Sequence, residues 1–115
     1  MSTITHDDVG EDLRRIVITG RLDTPGTNAV KARLAELIAT PRKGVVIDLS
    51  GVELLTSTGI AAMITSAKAV KARGGRLVLV TGESPAVLFS IKTVGIDHLI
   101  PVFKLGSDAE KAALS

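Results

Sequence analysis

Val45-Val46-Ile47-Asp48-Leu49 is the stretch that decides the fold. A short β-branched, apolar run broken by one acid reads as a strand buried on both faces, as in the middle of a parallel sheet. Downstream, after a linker from Ser50 to Leu55, Thr56-Ser57-Thr58-Gly59 offers successive capping hydroxyls. They precede Ile60, Met63, Ile64, Ala67 and Val70, the stripe of a helix that Gly74-Gly75 ends. Arg76 to Thr81 reads as a second buried strand. Ser84-Pro85 then caps and opens a helix bearing Leu88, Ile91 and Val94, with Gly95 at its C′ position. Leu99 to Phe103 reads as a last short strand, and Ser107-Asp108-Ala109-Glu110 as the capping box of a terminal helix.

Upstream, Leu13 to Thr19 carries Ile16, Val17 and Ile18 and ends at Gly20, which suits a strand. Ser2 to Val9 is a weaker strand joined to it through Gly10-Glu11-Asp12, so the two are expected to pair as a hairpin. Thr24-Pro25 opens a helix with Thr24 as cap, Val30, Leu34, Leu37 and Ile38 form its apolar stripe, and Pro41 closes it. Strand and helix alternate from Val45 onward, which implies right-handed crossovers and a parallel core, made mixed by the amino-terminal hairpin.

The chain has 115 residues, the size of one domain, and no linker or repeat divides 1–115. Hydrophobic residues are 45% and charged residues 23%, a globular balance. Aromatics are only 2%, so base-stacking platforms lack their material, and a net charge of +2 is no nucleic-acid footprint. No cysteine is present, which excludes disulfides, thiolate nucleophiles and Cys-containing metal sites. No apolar run reaches membrane-spanning length and the first residues lack a signal-peptide pattern, so a cytoplasmic chain with no membrane insertion is expected.

Most catalytic templates fail. His6 and His98 have no metal-ligand spacing and read as exposed loop histidines. Ser57, His98 and Asp23 can be drawn as a triad, but Ser57 lies outside any Gly-x-Ser-x-Gly elbow. No phosphate-binding glycine loop exists, so no enzyme activity, metal or cofactor is expected. Asp48 reads as an acid at the core edge, and Asp7, Asp8, Glu11 and Asp12 as a solvated turn. Lys68, Lys71 and Arg73 fall in the last turns of the central helix, where cations complement its dipole or belong to a partner surface.

The hydroxyl cluster Thr56-Ser57-Thr58 remains. It suits plain capping, and it equally suits a kinase acceptor whose phosphate would lie against a positive helix end. Local sequence leaves both open.

Gly20-Arg21-Leu22-Asp23, Val46-Ile47-Asp48-Leu49-Ser50-Gly51-Val52, Ser57-Thr58-Gly59-Ile60, Gly74-Gly75, Ser84-Pro85-Ala86-Val87 and Val94-Gly95-Ile96 follow one another in the order and spacing of known landmarks. In this the chain resembles the STAS-domain anti-sigma factor antagonists over nearly its whole length. The resemblance implies an α/β fold with a mixed four- to five-stranded sheet and about four helices packed mainly on one face. It implies binding to an anti-sigma factor that is also a serine kinase, abolished by phosphorylation of one hydroxyl and restored by a phosphatase. Carried over from the family's Asp-Ser-Ser/Thr-Gly motif, Ser57 is the acceptor and Thr58 the second choice, with Gly59 allowing close approach. Asp23 matches the acid of the family's Gly-x-Leu-Asp turn. Thr56 stands where the family has Asp, a departure that removes a carboxylate beside the acceptor. The partner surface implied comprises Asp23, Thr56, Ser57, Thr58, Gly59 and Ile60.

Three functions follow from these readings. The first is an anti-sigma antagonist in a partner-switching pathway that regulates transcription. The second is a non-phosphorylated STAS accessory subunit of a membrane transport ATPase, as in lipid trafficking. The third is a small-ligand or anion sensor using the Ser57 helix terminus.

Overall fold

The computed structural model describes all residues from Met1 to Ser115. Five strands form one sheet in the order β1-β2-β3-β4-β5: β1 Ser2–Val9, β2 Leu13–Leu22, β3 Gly44–Leu55, β4 Arg76–Val80 and β5 Val102–Phe103. The first pair is antiparallel and the other three pairs are parallel. The strand that opens at Gly44 and carries Val45 to Leu49 is therefore central, as its apolar run requires. Four helices connect and close the sheet: α1 Thr24–Ala39, α2 Ser57–Ala72, α3 Pro85–Val94 and α4 Gly106–Leu114.

Residue alternation along the strands divides the core in two. Ile16, Ile18, Val45, Ile47, Leu77 and Leu79 face the stripes of α1, α2 and α3 in one large cluster. Leu13, Val46, Val78 and Val80 meet Ala109 and Ala113 of α4 in a small one on the other face. The helices thus pack mainly on one side, and β3 is dry on both faces from Gly44 to Leu49, which explains the lack of polar alternation there.

Several boundaries differ from the sequence reading. The strand does not stop at Gly20: β2 runs through it to Leu22, with Gly20 at φ +94°. A Cβ there would lie 2.0 Å from the Met1 carbonyl oxygen, so only glycine lets the start of β1 cross at this point. The expected linker Ser50 to Leu55 is the second half of β3. Its Ser-Gly break is a bulge, where the register slips between Val17 opposite Asp48 and Thr19 opposite Gly51. Asp48 holds it, one carboxylate oxygen accepting from the Ser50 amide at 2.8 Å and from the Ser50 hydroxyl at 2.6 Å.

The expected strand Leu99 to Phe103 shrinks to two residues because a 3-10 turn at Ile96–His98 carries on, its Ile96 carbonyl accepting from Leu99 and Ile100 amides. His6 lies on β1 rather than a loop. The capping box at Ser107 does not form: α4 starts at Gly106 with Leu105 as its uncapped flank, leaving Ser107 inside the helix. In α3 the buried positions are Val87 and Ile91, while Val94 is exposed. The glycine stops behave as read. Gly74 at φ +83° follows α2, with the Gly75 amide bound to the Val70 carbonyl and the Gly74 amide to that of Lys71, and Gly95 ends α3 in the left-handed region.

Candidate functional site

Leu22 and Leu55 are register neighbours at the ends of the parallel strands β2 and β3, and each is followed almost at once by a helix. The first turns of α1 and α2 therefore lie side by side at the carboxyl edge of the sheet, where open α/β sheets place their sites. The Thr24 and Thr58 hydroxyls join those turns at 3.1 Å.

The two helix starts are finished differently. Asp23, not Thr24, caps α1: its side chain accepts from the Gly26 amide at 2.8 Å, with Pro25 in the first turn. Arg21 approaches the same carboxylate at 3.6 Å. At α2, Thr56 occupies the cap position with extended backbone but makes no side-chain cap bond. Its hydroxyl instead donates to the Leu22 carbonyl at 2.7 Å, and its amide donates to the same oxygen at 3.2 Å. One carbonyl of the Gly-x-Leu-Asp turn thus pins the residue before Ser57. The positive end of α2 is left without a side-chain oxygen to neutralise it.

Ser57 is the first residue of α2 and is exposed, with its hydroxyl in no hydrogen bond to the protein. Thr58 is half-buried against Thr24. Gly59 and Ile60, expected on the partner surface, face inward: Ile60 is 6% exposed in the main cluster, and a Cβ on Gly59 would lie 2.9 Å from Leu55 Cδ1 and 3.0 Å from Leu22 Cβ and O. They seat the helix on the sheet. Asp23 and Thr56 are half-buried with their polar atoms already bound.

Two features escaped the sequence reading. Ser90 of α3 donates to the Leu55 carbonyl at 2.8 Å, bringing α3 against the same corner, and the preceding Phe89 stands 70% exposed. Phe89 lies off the α3 stripe, and an aromatic in that position is the signal that would have marked it. A cleft of about 320 Å³ also runs from Thr58 between α1 and α2, past Ala61, Ala62 and Lys31. No cluster of His, Asp and Glu suited to a metal exists in the structure. No helix is long and apolar enough to cross a membrane.

A family model described as "Mlab, STAS domain" matches residues 7–101, which takes in the whole corner from Asp23 to Ile60. The chain belongs to the STAS family. Solved structures agree on the fold. An anti-sigma factor antagonist from Mycobacterium paratuberculosis superposes with a TM-score of 0.90 at 23% identity, covering 100% of this chain and 96% of that one. A putative anti-sigma factor antagonist from Thermotoga maritima gives 0.86 at 15% identity over 97% and 95%. SpoIIAA of Bacillus in its phosphorylated form gives 0.69 at 14% identity over 96% and 99%. In this STAS chain Thr56 stands directly before the exposed Ser57 at the corner of α1 and α2.

Proposed function

We propose that this STAS domain is an anti-sigma factor antagonist that docks an anti-sigma factor serine kinase on the corner where α1 and α2 begin. Ser57 is its phosphorylation switch, and a phosphatase reverses the modification. The observation that carries the reading is the exposed Ser57 at the first position of a helix whose amino end no side chain caps. Phosphorylation would add about −1.5 to −2 charges at pH 7. The helix terminus favours such a charge by about 0.3–1 kcal/mol, so the fold survives while the docking face gains negative charge. Thr24 and Thr58 lie beside the acceptor, and α3, tied to the Leu55 carbonyl through Ser90, carries the exposed ring of Phe89, the kind of rigid apolar anchor that carries interface energy. Calorimetric titration against the cognate anti-sigma serine kinase tests the reading: binding that Phe89→Ala and Ser57→Asp both weaken supports it, and no binding rejects it.

A second reading is favoured by one residue. Thr56 stands where the family resemblance places an acid beside the acceptor, which suits a non-phosphorylated accessory subunit of a membrane transport ATPase using the same corner. Binding to such an ATPase, with none to the kinase, would select it.

A further inference from the structure

At the opposite end of α2 the chain has a second concavity that the Ser57 corner does not use. A cleft of about 550 Å³ opens between the last turns of α2, the start of β4 and the segment after the 3-10 turn. Ile64, Ala67, Leu77, Leu99 and Pro101 make its apolar floor and walls, and Leu99 is 68% exposed. Lys68 and Lys71 stand on its rim. Gly75 shapes the end of the cleft: a Cβ there would lie 2.9 Å from Val70 Cγ1 and 3.1 Å from the Arg42 carbonyl oxygen.

Neither lysine has an ion-pair partner in the structure, and α2 contains no acidic residue to balance them. Lys71 is in the last turn, but Lys68 lies one turn earlier, where the helix dipole has faded. The terminal carbonyls of Val70 and Lys71 already accept from Gly75 and Gly74. Arg76, which also borders the cleft, turns its guanidinium away to the Ala112 carbonyl and the Ser115 hydroxyl, leaving the local charge to the lysines.

We propose that this cleft binds a single-tailed anionic amphiphile, an acyl chain bearing a carboxylate or phosphate head. The volume lies in the range of small-ligand sites, and the concave apolar floor takes a tail. Lys68 and Lys71, three positions apart on one helix and both lining the cleft, are spaced for their ammonium groups to meet one anionic head. Lys68 lies eleven positions along α2 from Ser57, about 16 Å at 1.5 Å per residue, so the cleft and the docking corner are separate. The inference stands whether or not the proposed partner is right.

Titration of the full isotope-labelled chain with sodium decanoate below its micelle concentration, followed by amide chemical shifts, tests it. Saturable shifts confined to residues 64–77 and 99–101, with affinity at least about tenfold above that for decanol, are expected. Lys68→Glu/Lys71→Glu should lose at least about tenfold in affinity. Leu99→Glu, at an exposed position where folding is not at stake, should do the same. Equal binding of decyl phosphate would support a phospholipid-derived head, and weaker binding a free fatty acid. Shifts without saturation, shifts centred on Phe89 or Leu105, or equal affinity for decanol would overturn the proposal. So would capture of a glutamate-rich peptide by the lysines with none of decanoate, which would make the cleft a protein-docking groove.

Discussion

The Thr56 hydroxyl donates to the Leu22 carbonyl at 2.7 Å, and through this bond the loop before α2 is tied to the turn before α1. The carbonyl also accepts from the Thr56 amide, so the same oxygen fixes both the backbone and the side chain of the residue preceding Ser57. Removing the hydroxyl while keeping the shape, as in Thr56→Val, should cost about 0.5–1.5 kcal/mol of stability, the usual net value of one hydrogen bond. Thr56→Ser should retain it. Thr56→Asp should stay within about 1 kcal/mol of the parent, because an aspartate can cap the free amides of α2 and the Leu22 carbonyl keeps the backbone donor. Urea denaturation of the three variants checks the order.

The glycines of this corner are there for space. Gly59→Ala would normally stabilise a helix, but its Cβ would meet Leu55 and Leu22 at 2.9–3.0 Å, so overpacking of about 1–3 kcal/mol should win. Gly26→Ala should be worse, since its Cβ would sit 1.8 Å from the Arg21 carbonyl oxygen. Gly106→Ala, with nothing within 4 Å, should be neutral or stabilise by up to about 1 kcal/mol. Thermal melts of the set should give that ranking.

Asp23 serves the fold as well as any partner. Asp23→Ala removes the cap of α1 and should cost about 0.5–2 kcal/mol, whereas Asp23→Asn keeps a capping oxygen and removes only the charge. A partner that senses the carboxylate will discriminate against both variants. If only the alanine variant loses binding, the residue acts through the helix start.

At the other end of the sheet, Asp8 gathers the hairpin and the chain after α1. It accepts from Arg14 at 2.8 and 3.1 Å and from Arg42 at 3.0 Å, while Arg14 also donates to the Leu37 carbonyl at 3.1 Å. The Arg14 hydrogen bond, reinforced by the charges of Arg14, Arg42 and His6 against partial desolvation, holds the Asp8 carboxyl below the usual carboxylate range. Because the native value is the lower one, this stabilisation is complete above about pH 4 and is lost as pH falls through the native value. Asp8→Asn should therefore lower the melting temperature at pH 7 and narrow its gap to the parent below about pH 4. An equal gap at all pH values would show that the charge is not what matters.

The fold was legible where apolar period and punctuation agreed. Val45 to Leu49 announced the central strand because both its faces are dry, and Gly74 and Gly95 stopped helices because each adopts positive φ. It was not legible where a residue serves two structures at once. Ser50-Gly51 read as a break, yet Asp48 folds it into a bulge within β3, and Gly20 read as an end although β2 passes through it. The caps were misread as well. Thr24 and Thr56 are good capping residues locally, but Asp23 takes the cap of α1 and the Leu22 carbonyl takes the Thr56 hydroxyl. Of the residues expected at the site, the sequence placed Ser57 and Thr58 correctly at a helix start. It could not reveal that Gly59 and Ile60 turn inward, or that Ser90 ties α3 to the same corner.

The proposed role of Ser57 is tested most directly by incubating the chain with the anti-sigma serine kinase proposed as its partner and ATP, mapping the product by mass spectrometry, and measuring the kinase affinity of Ser57→Asp. The account predicts a single phosphate on Ser57 and, for the variant, an affinity lower by about a hundredfold, roughly 2.8 kcal/mol of binding, with the fold intact. Phosphate on Thr58 alone, or none at all together with binding indifferent to Ser57→Asp, would contradict it.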